Sequence, residues 1–204
     1  MRGKPTVFVV DDDELVRNSV SALAESMGVN AESFVSAEEF LEKHTEDRPG
    51  CLVLDLCMPG MNGQALLDSL AQRGITMPVI VLTAYARTAI TVRAIKSGAV
   101  TVLDKPCDDD DLWNAIREAL EKSESALKEH ARRQEIRGRL AQLTPPERQV
   151  LDMTIKGVVV KAIANKLGTS ERTVASRRRA LLRKMQAATT ADLIWLATQA
   201  EADD

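Results

Sequence analysis

Five short apolar runs punctuate the first hundred positions, and each is followed by a segment with helical spacing or helix-capping residues. Thr6-Val7-Phe8-Val9-Val10, a weaker run from Ala31 to Phe34, Cys51-Leu52-Val53-Leu54, Pro78-Val79-Ile80-Val81-Leu82 and Val100 to Leu103 read as strands. The strong runs carry no polar alternation, the pattern of strands covered on both faces. Between them, helices are predicted from Glu14 to Met27 on the spacing of Leu15, Val20, Leu23 and Met27, with Gly28 as the stop, and from a capping box at Ser36-Ala37-Glu38-Glu39 through about Lys43. Two more span Gly63 to Gln72 and Thr88 to Ser97. The alternation predicts a parallel sheet with helices on both faces and right-handed crossovers.

The remaining hundred residues lose the strand pattern. Leu112, Ile116 and Leu120 recur every four positions after the acid run Asp108-Asp109-Asp110-Asp111, which reads as a helix N-terminus complemented by negative charge. Helical spacing continues to about Leu140, a span of about 48 Å at the α-helical rise. Its middle is largely charged, so it is either solvent-bridging or part of a dimer seam. Thr144-Pro145-Pro146-Glu147 then supplies a capping box with Pro at N1, and short helices follow over Arg148 to Lys156, Lys161 to Leu167, Glu171 to Met185 and Thr189 to Ala200. Four short helices predict a small bundle. The tight Gly168-Thr169-Ser170 turn between the middle two gives the spacing of a helix-turn-helix.

At 204 residues with 45% apolar content the chain suits two folded domains. The formal charge of −3 hides an asymmetry. Residues 1 to 143 carry 17 Lys/Arg against 23 Asp/Glu, whereas residues 144 to 204 carry 10 against 7, with three of those acids in the last four positions. A locally basic second half suits nucleic acid. No apolar run approaches a membrane span and the N-terminus passes straight into a strand, so a cytoplasmic protein without membrane contact is expected. Cys51, Cys57 and Cys107 lack metal-ligand pairing and are read as small, buried, reduced thiols; a redox pair of Cys57 and Cys107 beside the pocket is the alternative.

The ends of the strands carry the chemistry. Asp11, Asp12 and Asp55 supply carboxylates, Thr83 a hydroxyl and Lys105 an ammonium, all on the rim where open α/β sheets bind ligands. Three crowded carboxylates repel one another, and a hard cation such as Mg²⁺ relieves that repulsion. One carboxylate, with Asp55 the candidate, is then able to attack a phosphoryl group and form an acyl phosphate held by the metal, the Lys and the Thr. Asp13 and Glu14 read as first-turn helix acids. On the predicted Glu171 to Met185 helix, Arg172, Ala175, Ser176, Arg179 and Arg183 lie opposite Val174 and Leu181, with Arg177 and Arg178 flanking. Such a helix fits the major groove of double-stranded DNA.

Val9-Val10-Asp11-Asp12, Leu54-Asp55-Leu56-Cys57-Met58-Pro59-Gly60-Met61-Asn62-Gly63, Leu82-Thr83-Ala84 and Asp104-Lys105-Pro106 together resemble the receiver domain of two-component response regulators, over roughly the first 120 residues. The resemblance implies a flavodoxin-like (βα)5 fold in which Asp55 accepts phosphate from a histidine kinase. Asp11, Asp12, Asp55 and the main-chain carbonyl of Cys57 would hold Mg²⁺, and Thr83 and Lys105 the phosphoryl group. Such receivers commonly carry a switch aromatic three residues before the Lys, where this chain has Val102; Tyr85 is the alternative reporter. Leu143-Thr144-Pro145-Pro146-Glu147, Lys161 to Val174 and Arg183-Lys184-Met185 resemble the LuxR-type helix-turn-helix of NarL/FixJ response regulators. That similarity implies base-facing roles for Ala175, Ser176 and Arg179, and positions nearer phosphate for Lys161, Thr173, Arg177 and Lys184. Arg177 stands where a His is common.

The chain accordingly divides into a receiver over 1–121, a helical linker over 122–142 and an all-α four-helix DNA-binding domain over 143–204. The expected protein is a phosphoacceptor and transcription regulator, not an enzyme, that homodimerises on phosphorylation through its fourth helix, last strand and fifth helix. Two rivals remain: an aspartyl-phosphate phosphatase built on Asp11-x-Asp13, and an interaction-only regulator whose basic helix binds protein or RNA.

Overall fold

In a computed structural model, which describes residues 4–44, 49–84 and 87–201, the chain separates into two compact units, Met1–Leu127 and Lys128–Asp204. In the first unit, five parallel strands, β1 (Thr6–Val10), β2 (Asn30–Phe34), β3 (Gly50–Leu54), β4 (Val79–Thr83) and β5 (Ala99–Asp104), form one sheet in the order β2-β1-β3-β4-β5. The helices are α1 (Glu14–Ser26), α2 (Ala37–Lys43), α3 (Gly63–Gln72), α4 (Thr88–Lys96) and the start of α5 (Asp109–Ala141).

Strand residues alternate between two cores, which is why the runs are apolar throughout. Phe8, Val10, Leu52, Leu54 and Val81 face Phe40 of α2, Leu66, Leu67 and Leu70 of α3, and Ala94 of α4. Val7, Val9, Val53, Ile80 and Leu82 face Val20 and Ala24 of α1 and Leu112, Ile116 and Ala119 of α5. Two spacing readings fail. Met27, the C-cap residue just past α1, is 48% exposed. Leu15 is 79% exposed, because the inward stripe of α1 runs through Val16, Val20, Leu23 and Ala24 and leaves Leu15 a third of a turn away.

The local stops follow sequence chemistry. Ser36 accepts from Glu39 N at 3.2 Å, but the Glu39 carboxylate takes the N–H of Val35 at 2.8 Å rather than that of Ser36, so the expected box is displaced by one residue. Gly63 opens α3 against the loop that follows Asp55, where an added Cβ would overlap the main-chain oxygen of Asp55. The Lys105–Pro106 peptide is cis.

In the second unit, α6 (Pro145–Ile155), α7 (Val160–Lys166), α8 (Glu171–Met185) and α9 (Thr190–Glu201) enclose a core of Val150, Leu151, Ile163, Val174, Leu181, Met185, Leu193, Ala197 and Ala200. Ile136 and Leu140, from the last turns of α5, lie in this same core. The segment read as linker therefore contributes apolar residues to the helical unit. Sequence spacing offers only a solvent-bridging rod or a dimer seam here, because charged residues surround them.

Candidate functional site

Strand order reverses beside β1, which has β2 on one side and β3 on the other, and this crevice is where open parallel sheets bind ligands. The register pairs Val10 with Leu54, so Asp11 and Asp55 both emerge one residue beyond the same rung, and Asp55 N donates to Val10 O at 3.0 Å. On the far side Thr83 pairs with Asp104, and Lys105 N donates to Thr83 O at 2.9 Å. Backbone pairing thus delivers the carboxylates, the hydroxyl and the ammonium to one rim.

The side chains converge there. Asp11, Asp12 and Asp55 each offer a carboxylate oxygen, and those oxygens lie within 4.8 Å of one another. Lys105 Nζ donates to Asp11 Oδ2 at 2.6 Å and to Asp55 Oδ2 at 3.0 Å. The remaining oxygens are oriented by main-chain donors: Asp13 N to Asp11 Oδ1 at 3.0 Å, and Cys57 N to Asp55 Oδ1 at 3.1 Å. Asp11 and Asp55 are buried, Asp12 is exposed, and Thr83 is fully buried. Burial pushes the Asp11 carboxyl above its ordinary pKa, against the lowering effect of its Lys105 hydrogen bond. Burial also opposes the Lys105 ammonium, but its hydrogen bonds to Asp11 and Asp55 and their charges together outweigh it and raise the lysine pKa. Three carboxylates against one ammonium leave an excess of two negative charges, and an all-oxygen donor set of that charge suits a hard divalent cation.

Some sequence readings gain a definite place and others change. Asp13 caps α1, its carboxylate accepting from Leu15 N at 2.9 Å, and so is committed to the helix rather than to a phosphatase pair with Asp11. Cys57 is exposed and Cys107 half-buried, contrary to the buried-thiol reading, because the turn after Asp55 carries Cys57 out of the sheet. Only Cys51 is buried, and burial pushes its thiol up to about 12. Val102 is half-buried and packs on the core that contains Leu54 and Val81. Tyr85 lies outside the described residues.

Two residues that shape the rim have no readable sequence signal. Arg17 Nη1 donates to Asp11 O at 2.7 Å and Asp12 O at 2.9 Å, clamping the acidic turn from one helical turn further on. Glu38 Oε1 accepts from Met61 N at 2.8 Å, tying α2 to the loop that follows Asp55.

In the helical unit, Gly168 (φ +58°) makes the turn into α8, and Ser170 caps it by accepting from Thr173 N at 3.1 Å. Val174, Leu181 and Met185 are buried, which turns Arg172, Ser176, Arg179 and Arg183 outward, exposed along one face with Lys161 exposed on α7. Ser176, Arg179, Leu182 and Arg183 line a shallow concavity. Thr173, Ala175 and Arg177 are half-buried beside this face. Arg178 instead bonds Thr190 Oγ1 at 2.8 Å, and the Lys184 ammonium is engaged by Glu147 Oε2 at 2.7 Å and Gln142 O at 3.2 Å. That Lys184 hydrogen bond, helped by the N–H and hydroxyl of Thr144, lowers the Glu147 carboxyl to about 2.

Both halves match known families. The response regulator receiver domain matches residues 7–117, and the luxR family of bacterial regulatory proteins matches residues 141–197. The chain belongs to the response regulators, as a receiver joined to a LuxR-type DNA-binding domain of the kind that regulates transcription. More particularly, it is 40% identical over 201 residues to the transcriptional regulatory protein FixJ of Azorhizobium caulinodans, covering 97% of this chain and 95% of that protein. It is 36% identical to FixJ of Bradyrhizobium diazoefficiens over 98% of both. Among solved structures, the response regulator StyR aligns at a TM-score of 0.86 with 37% identity, over 97% of this chain and 100% of that one. Full-length FixJ from B. japonicum aligns over 100% of both chains at a TM-score of 0.57 and 34% identity. Among the described residues, no helix is long and apolar enough to cross a membrane.

Proposed function

We propose that Asp55 is the phosphoacceptor of this response regulator. A carboxylate oxygen of Asp55 forms a bond to the phosphorus of a phosphohistidine on a histidine kinase as the P–N bond breaks, and the electron pair returns to the imidazole. Asp11, Asp12, Asp55 and the main-chain carbonyl of Cys57 are the groups to hold Mg²⁺, which when bound supplies the positive charge that offsets carboxylates and phosphoryl oxygens. Lys105 and Thr83 take the phosphoryl oxygens. The observation that carries this reading is the convergence of three carboxylates within 4.8 Å, with Lys105 bonded to two of them. The chain itself turns over no external substrate; at most it loses its own phosphoryl group slowly.

Incubation with Mg²⁺ and acetyl phosphate, followed by intact-mass and fragment analysis, tests it. A gain of one phosphoryl group on Asp55, absent in Asp55→Asn, is expected. A label on another residue sinks the assignment.

The output side of the proposal is binding of double-stranded DNA. Ala175, Ser176 and Arg179 face bases, and Lys161, Arg172, Thr173, Arg177 and Arg183 lie along or beside the DNA backbone, whereas the Lys184 ammonium, expected there from sequence, is held by Glu147. Phosphorylation favours a homodimer through α4, β5 and α5, pairing two recognition helices on half-sites. Arg179→Ala is expected to erase sequence preference in duplex titrations, and sedimentation with and without phosphodonor reads the dimer.

A further inference from the structure

The recognition helix α8 ends under the control of a residue that the DNA-facing surface does not include. Gln186 N donates to Arg183 O at 3.2 Å and Ala187 N to Leu182 O at 2.9 Å, the pairing of a Schellman stop. The left-handed position of that stop normally belongs to Gly; here it is Gln186, at φ 53°, the one non-glycine residue with positive φ among those described. Met185 O takes no part in the Schellman pairing and is satisfied from α5: Arg139 Nη1 donates to it at 3.1 Å. Arg139 Nη2 donates to Gln186 Oε1 at 2.8 Å, fixing the side chain of the strained residue, and to Glu135 Oε1 at 2.7 Å. Arg139 is anchored in turn by its helix neighbours, since Ile136 and Leu140 are buried in the helical core. Its side chain is only 18% exposed, so little of it is open to a ligand.

We propose that Arg139 is a positioning residue for DNA recognition: it holds the last turn of α8, and with it Arg183, without itself touching DNA. The cationic guanidinium at a helix C-terminus also complements the dipole there. The proposal rests on the reading that α8 enters the major groove. It extends the DNA-recognition apparatus upstream into the segment whose sequence reads as a connector.

The test uses the full-length protein and a duplex it selects from a random-sequence pool. Affinity is measured over a range of salt, together with amide exchange at Leu182 to Ala187. Arg139→Ala is expected to weaken binding about fivefold, the scale of one ordinary net hydrogen bond, to leave the salt dependence unchanged and to speed exchange at the helix end. Arg139→Lys, which keeps the charge and loses the fork, should fall between, and Gln186→Ala should reproduce part of the effect. Both serve if Arg139→Ala does not fold. Unchanged affinity with faster exchange reduces Arg139 to a structural cap and overturns the proposal. A salt slope lower by about one makes Arg139 a direct phosphate contact and overturns it equally. Arg179→Ala is the control: no effect there removes the DNA reading itself, whereas an essential Arg179 beside an inert Arg139 removes only this inference.

Discussion

Lys105 Nζ lies 2.6 Å from Asp11 Oδ2 although β1 and β5, the strands that carry these residues to the rim, are separated in the sheet by β3 and β4. The ammonium therefore spans the crevice and partly neutralises two buried carboxylates. Replacing it with Met leaves Asp11 and Asp55 without their cation, a loss of roughly 3–5 kcal/mol for buried charged partners. Urea unfolding of Lys105→Met in chelator is expected to show that loss, and saturating Mg²⁺ should shrink it. Equal losses with and without Mg²⁺ would mean that ion and ammonium do not share the same charge deficit.

Gly63 has no room for a side chain. An added Cβ would overlap the main-chain oxygen of Asp55 and press on Leu56, both backbone and so unable to rotate away. Gly63→Ala should cost about 1–3 kcal/mol of stability, the range for overpacking, and should slow phosphorylation as α3 is pushed from the loop that follows Asp55. Comparing thermal unfolding with the rate of acetyl phosphate labelling checks both effects.

Glu147 confers a pH dependence whose sign is fixed. Its folded pKa, about 2, lies below its ordinary value of 4.5 because Lys184 and Thr144 bind the charged form. The stabilisation is therefore complete above about pH 4.5 and is lost as pH falls toward 2. Glu147→Gln should be less stable than the parent near neutrality, and the two should converge in denaturant midpoints as pH drops through that window. A gap that stays constant with pH contradicts the assignment.

Ile136 belongs energetically to the helical unit. It is 2% exposed among Val150, Leu151 and their neighbours. Ile136→Ala should destabilise that unit by about 2–5 kcal/mol, as for other buried large-to-small changes. Hydrogen exchange resolved along the chain should place the loss in α6 to α9 and leave the amides of β1, β3 and β4 protected.

The sequence by itself determined the element order, the parallel two-faced sheet and the short helical domain, because buried strands must be apolar throughout and helix caps need particular residues. It also singled out Asp11, Asp12, Asp55, Thr83 and Lys105, since residues that end buried strands in a parallel sheet share one rim whatever lies between them. Tertiary structure alone decided which way Leu15 points, that Cys57 is exposed, that Lys184 serves Glu147, and that Ile136, Arg139 and Leu140 belong with the helical unit. Each of these depends on a partner distant in the chain or on which third of a helix meets a neighbour. Local spacing carries no record of that, whereas contact, burial and the need to satisfy buried polar groups do.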